Sequence, residues 1–255
     1  MEQIFEWLKP AVLTDIQFAI LISLSFVTSA VTALMGAGGG ALLIAVMASF
    51  MPAAAIIPVH AVVQLGSNGG RLLLMRRFVD KHLVMWFVVG TVIGALIGGN
   101  IAVSLEPAYL QFILGGFILL SCWVPITAAL KGKKSLTVLG ALTSFLTMFV
   151  GATGPFVIAS MRHIISDKQK LVGTMSALMS AQHLIKAVVF GGLGFAFADW
   201  LGLIVLMILT GFFGTMAGQA LLERVSNEKF QIALRIMLTF LALRLLWSAA
   251  EQVML

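Results

Sequence analysis

The sequence predicts an all-α polytopic membrane protein made of two inverted repeats, each a glycine-broken hairpin followed by three transmembrane helices. Three observations predict it: composition, the distribution of basic residues, and an internal match between the two halves. Of 255 residues, 60% are hydrophobic and only 10% are charged, with a mean hydropathy of +1.08. An average soluble domain carries roughly 25% charged residues, so this chain has too few to cover a water-facing surface. That excludes a soluble enzyme, a nucleic-acid-binding protein and a disordered chain. The net charge of +6 is then a property of loops, where basic residues mark the cytoplasmic side. The single cysteine, Cys122, can neither close an internal disulfide nor build a metal site, and no cofactor is called for.

Spanning helices need about 20 mostly apolar residues. Apolar segments run near 16–35, 41–51, 56–75, 82–104, 108–130, 136–150, 155–163, 170–191, 200–222 and 229–250. The N-terminus is acidic where a signal peptide is basic, so the first run is expected to stay in the chain. Two segments, 41–51 and 155–163, are too short to cross. Each follows a glycine cluster: Gly36-Ala37-Gly38-Gly39-Gly40 and Gly151-Ala152-Thr153-Gly154-Pro155. Glycine and proline break helices, so each pair is either a broken span or a hairpin. Charge favours hairpins. With two hairpins, the stretches at 71–81, 131–134, 162–170 and 223–235 share one side, and they hold every Lys and Arg except Lys9, Lys186 and Arg244. With two simple crossings they would divide nearly evenly between the sides, against the positive-inside rule.

The internal match sets the organisation. At an offset of 115 residues, Gly36-Ala37 pairs with Gly151-Ala152, Gly39 with Gly154, Asn68 with His183 and Arg71 with Lys186. Further on, Gly94 and Gly98 pair with Gly214 and Gly218. Residues 1–15 are therefore read as an N-terminal segment, 16–130 as the first repeat and 131–255 as the second. A hairpin plus three spans is an odd number of crossings, so the second repeat is inverted. Inverted repeats with helices broken at matching positions are a signature of secondary transporters.

A broken helix is tolerated in a membrane only where it is buried or lines a cavity. The first amides of a helix have no intrahelical partner and carry the positive end of its dipole. The short arms begin at Gly40–Ala41 and Pro155–Phe156, and Gly38, Gly39, Gly40, Thr153 and Gly154 at these breaks are thus candidates for holding an anion, or else points of close helix packing. Pro155 suits a first turn, and Thr153 is placed to cap that arm or to donate to a ligand. On the next helix Gln64, Ser67, Asn68 and Arg71 share one face; in the second half Met179, Gln182, His183 and Lys186 do the same. Polar faces within a membrane point to the bundle interior. Asn68 and His183 either bond between helices or meet a ligand. Arg71 and Lys186 either supply positive charge or snorkel to an interface; the same choice applies to Arg244. His60, His82 and His163 read as interfacial, and the five tryptophans as an aromatic belt. The Gly90, Gly94, Gly98 and Gly211, Gly214, Gly218 rows read as helix contacts.

In order, these motifs resemble the TauE/SafE sulfite exporter family, also called the toluenesulfonate uptake permease family. The resemblance rests on Gly36 to Gly40, Pro58 to Arg77, Gly151 to Pro155, Lys186 to Gly191, and Ser226, Glu228 and Phe230, and covers roughly residues 20–250. It departs at Ala45-Val46, where many members have proline, and at Ala61 to Leu65, where many carry Thr-Ser. The resemblance implies export of sulfite or a small organosulfonate across the bacterial inner membrane by alternating access. A channel, or a permease for another carboxylate or oxyanion, uses the same features. No acidic residue falls in a predicted span, so His183 is the candidate for proton coupling. The partners expected are a small anion and the bilayer, not nucleic acid. Neither a Gly-x-Ser-x-Gly nor a His-Glu-x-x-His motif accompanies Ser67 and His183, so an intramembrane enzyme is disfavoured.

Overall fold

The computed structural model describes residues 8–35, 38–123, 133–221 and 227–254, and among these the chain is helical, with ten α-helices and two short 3₁₀ turns. In chain order they are α1 (Asp15–Met35), α2 (Gly39–Phe50), α3 (Ala53–Met75), α4 (Lys81–Ala102), α5 (Pro107–Trp123), α6 (Lys133–Val150), α7 (Gly154–Arg162), α8 (Lys168–Gly192), α9 (Leu201–Leu221) and α10 (Asn227–Met254). Among the described residues, four stretches are long and apolar enough to cross a membrane: Asp15–Leu34, Lys81–Ala102, Phe197–Gly218 and Arg235–Met254. α3 and α8 are as long but more polar. They pack against each other at the centre, with α4 beside α8 and α9 beside α3. Their polar faces can persist because neighbouring helices, not lipid, surround them.

Both glycine clusters break the chain as expected. Gly38, at φ 105°, and Gly151, at φ 70°, occupy the left-handed region that L side chains avoid. After the first break the chain folds back. A Cβ on Gly39 would run into the Thr28 carbonyl and the Thr32 hydroxyl, one to two turns up α1. α2 is 12 residues long and α7 only 9, too short to cross. α7 also turns back, and its Val157, Ile158 and Met161 share an apolar cluster with Leu136 and Leu139 of α6.

Most of the glycine-row positions are backbone contacts, each row to a hairpin of the other half, and Gly211 meets the Ser25 and Ser29 hydroxyls. Gly90 and Gly94 of α4 lie against the Thr137 and Ala141 carbonyls of α6, and Gly140 of α6 lies against Phe87 of α4. Gly214 and Gly218 of α9 lie against Phe26 and Ala30 of α1. These are the two most extensive helix pairs in the molecule. Such approach suits membrane helices, whose association depends on close packing rather than on water exclusion. The reverse faces carry exposed apolar side chains, including Val89, Ile93, Leu96 and Ile97 on α4 and Val205, Leu209, Phe213 and Met216 on α9, as lipid requires.

Two of the basic stretches, 71–81 and 162–170, meet at one end. Asp80 caps α4 by accepting from His82 N at 3.1 Å and Leu83 N at 3.2 Å, and pairs with Lys170 at 2.9 Å. Its own N–H donates to Thr174 Oγ1, and Thr137 Oγ1 donates to the Trp86 carbonyl. Lys170 holds the Asp80 carboxyl below the ordinary carboxylate range, and the two capping amides add to this. At the opposite end Lys9 pairs with Asp15, and Gln252 donates to Gln111. Basic residues at 131–132 and 222–226 lie outside the described residues.

Candidate functional site

The two hairpin breaks and the two polar helices meet around one cavity of about 50 Å³, room for a few waters or one compact solute. Its lining alternates between the halves. The first contributes Gly38, Gly40 and Ala41 at the start of α2, with His60, Gln64, Asn68 and Arg71 on α3 and Thr32 on α1. The second contributes Ala152 and Gly154 at the start of α7, with Met175, Met179 and His183 on α8. Neither Asp nor Glu lines it. Among the described residues, three or more metal-ligating side chains nowhere gather.

The α3 face is set by helical spacing and by contacts to the break. His60 is fully buried, and its Nε2 lies 3.0 Å from the Gly40 carbonyl oxygen. A carbonyl only accepts, so Nε2 carries the proton and Nδ1 is a bare acceptor. That Nδ1 is buried without a partner among the described residues, as is His183 Nδ1. The two rings stand edge to face, their centroids 5.9 Å apart. Asn68 Nδ2 donates to the Gln64 carbonyl at 2.8 Å and lies 3.4 Å from Gln64 Oε1, which fixes the orientation of both amides. Arg71 is buried too, and its Nε and Nη2 have no partner among the described residues. A guanidinium edge of this kind is costly unless something accepts its protons. Gly40 keeps the cavity open, since a Cβ there would sit 2.9 Å from Gln64 Nε2.

The expected residues divide into lining and support. Gly38, Gly40, Gln64, Asn68, Arg71, Gly154 and His183 line the cavity. Gly39 instead packs on α1. Ser67 turns away and donates to Ser29 Oγ at 3.3 Å. Thr153 sits at the N-cap position of α7, but its hydroxyl makes no cap bond; it donates to Gln182 Oε1 at 3.1 Å. Gln182 Nε2 in turn donates to Thr143 Oγ1 at 3.2 Å. Lys186 stands behind His183, fully buried, and donates to the Gly151 carbonyl at 3.0 Å and Thr147 Oγ1 at 3.3 Å. It does not snorkel: its Nζ is engaged at the carbonyl end of α6.

Several expectations are corrected. His60 is a central cavity residue, not an interfacial one. The misleading signal was its closeness to the start of α3; the informative one was its position one turn before Gln64, on the same face. Arg71 faces the cavity rather than an interface, because α3 is shielded from lipid. Arg244 is exposed and takes no part. Trp200 is buried in the core, so it does not belong to an interfacial belt. Trp123 and Trp247 are exposed, and Trp7 lies outside the described residues. His82 and His163 are exposed.

A second cavity, of about 230 Å³, lies toward the opposite end from the basic loops and is lined by Ile57, Pro58, Met148, Phe190 and Leu193 among others. Phe190 is one turn beyond Lys186 on α8, and Met148 adjoins Thr147 on α6. The two cavities are therefore stacked along the α3–α8 pair, with the Lys186 contacts between them.

No curated protein and no solved structure matches this chain. A family model, "Sulfite exporter TauE/SafE", matches residues 21–245, a stretch that holds both hairpins, both polar helices and every residue lining the central cavity. The chain is a multi-pass membrane protein that belongs to the TauE/SafE sulfite exporter family, a family of membrane anion transporters.

Proposed function

We propose that this protein is a secondary transporter that exports sulfite or a small organosulfonate across the bacterial inner membrane, with its basic loops on the cytoplasmic side. The observation that carries this reading is the central cavity: two helix starts and a buried Arg71, whose Nε and Nη2 have no partner among the described residues, converge on it, and no carboxylate lines it. Such a site lacks a negative charge that the solute would supply. The proposed binding residues are Gly38, Gly40, Gln64, Asn68, Arg71, Gly154 and His183 in contact, with Gly39, Ser67, Thr153, Gln182 and Lys186 holding them in position. The compact volume suits a small oxyanion.

The inverted-repeat reading draws support from the helix pairing. Exchanging the halves maps α4 against α6 onto α9 against α1, and α4 against α8 onto α9 against α3; both members of each exchange are packed together. The sequence offset also aligns Thr28, Ser29 and Thr32 with Thr143, Ser144 and Thr147, all buried. Alternating access would then come from one hairpin-bearing bundle rocking on the other about the central site. The stacked second cavity supplies the vestibule on the far side. An inside-negative potential favours outward movement of an anion by about 2.3 kcal/mol per charge per 100 mV.

The test is thermal stabilisation of the purified protein by sulfite, sulfoacetate, sulfate, thiosulfate, phosphate and acetate. A ligand at about 100 times its Kd adds about 2.7 kcal/mol. Selective stabilisation by a sulfur oxyanion, lost in Arg71→Met, is expected. No response to any sulfur anion would overturn the reading.

A further inference from the structure

We propose that His60 Nδ1 is the binding site of a proton taken up when the anion enters the cavity, so that occupancy by the anion and by the proton are linked. This deepens the anion reading above and rests on it. The geometry is specific to His60. Its Nε2–H is committed to the Gly40 carbonyl at 3.0 Å, so the free lone pair is on Nδ1, which is buried and unpartnered among the described residues. Gly151 lies beside that nitrogen: a Cβ there would sit 3.4 Å from it. The ring lines the cavity that the anion would occupy.

The surrounding charges make the two events dependent on each other. α3 contributes Arg71, and α8 contributes His183 and Lys186. The parts of α1, α2, α6 and α7 nearest the cluster carry no ionisable side chain: they present Thr32, Gly40, Thr147, Gly151 and Gly154. Among the described residues, Lys186 Nζ is held by a hydroxyl and a carbonyl oxygen alone. With the cavity empty of anion, an imidazolium at His60 would place a positive charge beside two basic side chains, Arg71 and Lys186, and no carboxylate. An anion in the cavity removes that objection. By linkage, the anion raises proton affinity and the proton raises anion affinity by the same factor. The proton comes from water onto the Nδ1 lone pair and returns to water on release. No bond other than N–H is made or broken.

The experiment is calorimetric titration of the detergent-solubilised protein with sulfite, and with sulfate and methanesulfonate, whose charges stay constant over pH 6–8. Buffers of different ionisation enthalpy report protons taken up. Wild type is expected to take up a proton number approaching about one per anion, and His60→Gln near zero, because the glutamine amide can still donate to Gly40 but cannot titrate. For sulfite, the difference between wild type and variant cancels the anion's own titration. Should His60→Gln fail to fold or bind, ¹⁵N-histidine spectra of wild type read the same event: the His60 Nδ1 signal moves from bare to protonated on anion addition. Binding with no proton uptake, or an unmoved Nδ1 signal, overturns the proposal and leaves the anion reading standing. No binding of any of the three anions to wild type overturns the anion reading, and the proposal with it.

Discussion

Gly94→Ala should destabilise the protein although alanine is the better helix former. A Cβ on Gly94 would overlap the Ala141 carbonyl oxygen and lie 2.8 Å from its carbon and 2.9 Å from Phe145 N. Ordinary contact is about 3.5–4.0 Å, so α4 and α6 must part by about 1 Å. Backbone cannot swing aside as a side-chain tip can, and Gly90 and Gly140 hold the same crossing closed. Overpacking of this kind costs about 1–3 kcal/mol. Against it stands a gain of about 1 kcal/mol from replacing glycine in a helix, leaving a net loss of up to about 2 kcal/mol. Gly116→Ala is the control, because nothing lies within 4 Å of its Cβ position; it should be neutral or stabilising. Thermal unfolding in detergent, followed by a thiol-reactive dye or by retention on size exclusion, measures both. Equal melting temperatures for the two variants would refute the close crossing of α4 on α6. Gly214→Ala, against the Phe26 carbonyl, should behave like Gly94→Ala.

Three further outcomes are expected. Gly40→Ala pushes a methyl against Gln64 Nε2, so it should abolish stabilisation by anions while leaving the fold intact; undiminished anion response would remove Gly40 from the cavity. Arg71→Met should weaken binding of a sulfur oxyanion at least tenfold, because a hydrogen bond to a charged group contributes about 1.5–3 kcal/mol, and Arg71→Lys should restore only part; unchanged affinity would exclude the guanidinium from the site. Asp80→Ala should cost about 1 kcal/mol through loss of the α4 cap. Because the folded Asp80 carboxyl is depressed, its contribution is complete above the ordinary carboxylate value of about 3.9 and is lost as pH falls through the lower folded value. The stability gap between wild type and Asp80→Asn should therefore close on acidification, and a gap constant down to pH 2 would contradict the Lys170 pairing.

Much of this architecture was legible in one dimension. Composition dictated a membrane protein, because lipid demands apolar outward faces and helices that satisfy their own backbone. The two glycine clusters marked both breaks, and their matched positions pointed to a shared site. Gln64, Asn68 and Arg71 were legible as one face because helical periodicity is local. The family followed from the same ordered motifs.

What only the tertiary structure decided was which polar groups are free and which are already engaged. Ser67, Thr153 and Gln182 carry the right chemistry and lie on the right helices, yet their hydrogen bonds go to Ser29, Gln182 and Thr143. His60 is near the start of its helix, yet the return of α2 brings Gly40 onto its Nε2 and buries it. Lys186 and Arg71 look alike in sequence, but one is held by the end of α6 and the other is left with unpartnered donors. Burial and hydrogen-bond partners depend on segments distant along the chain. A sequence lists donors and acceptors, but only packing determines which of them are still unpaired when a solute arrives.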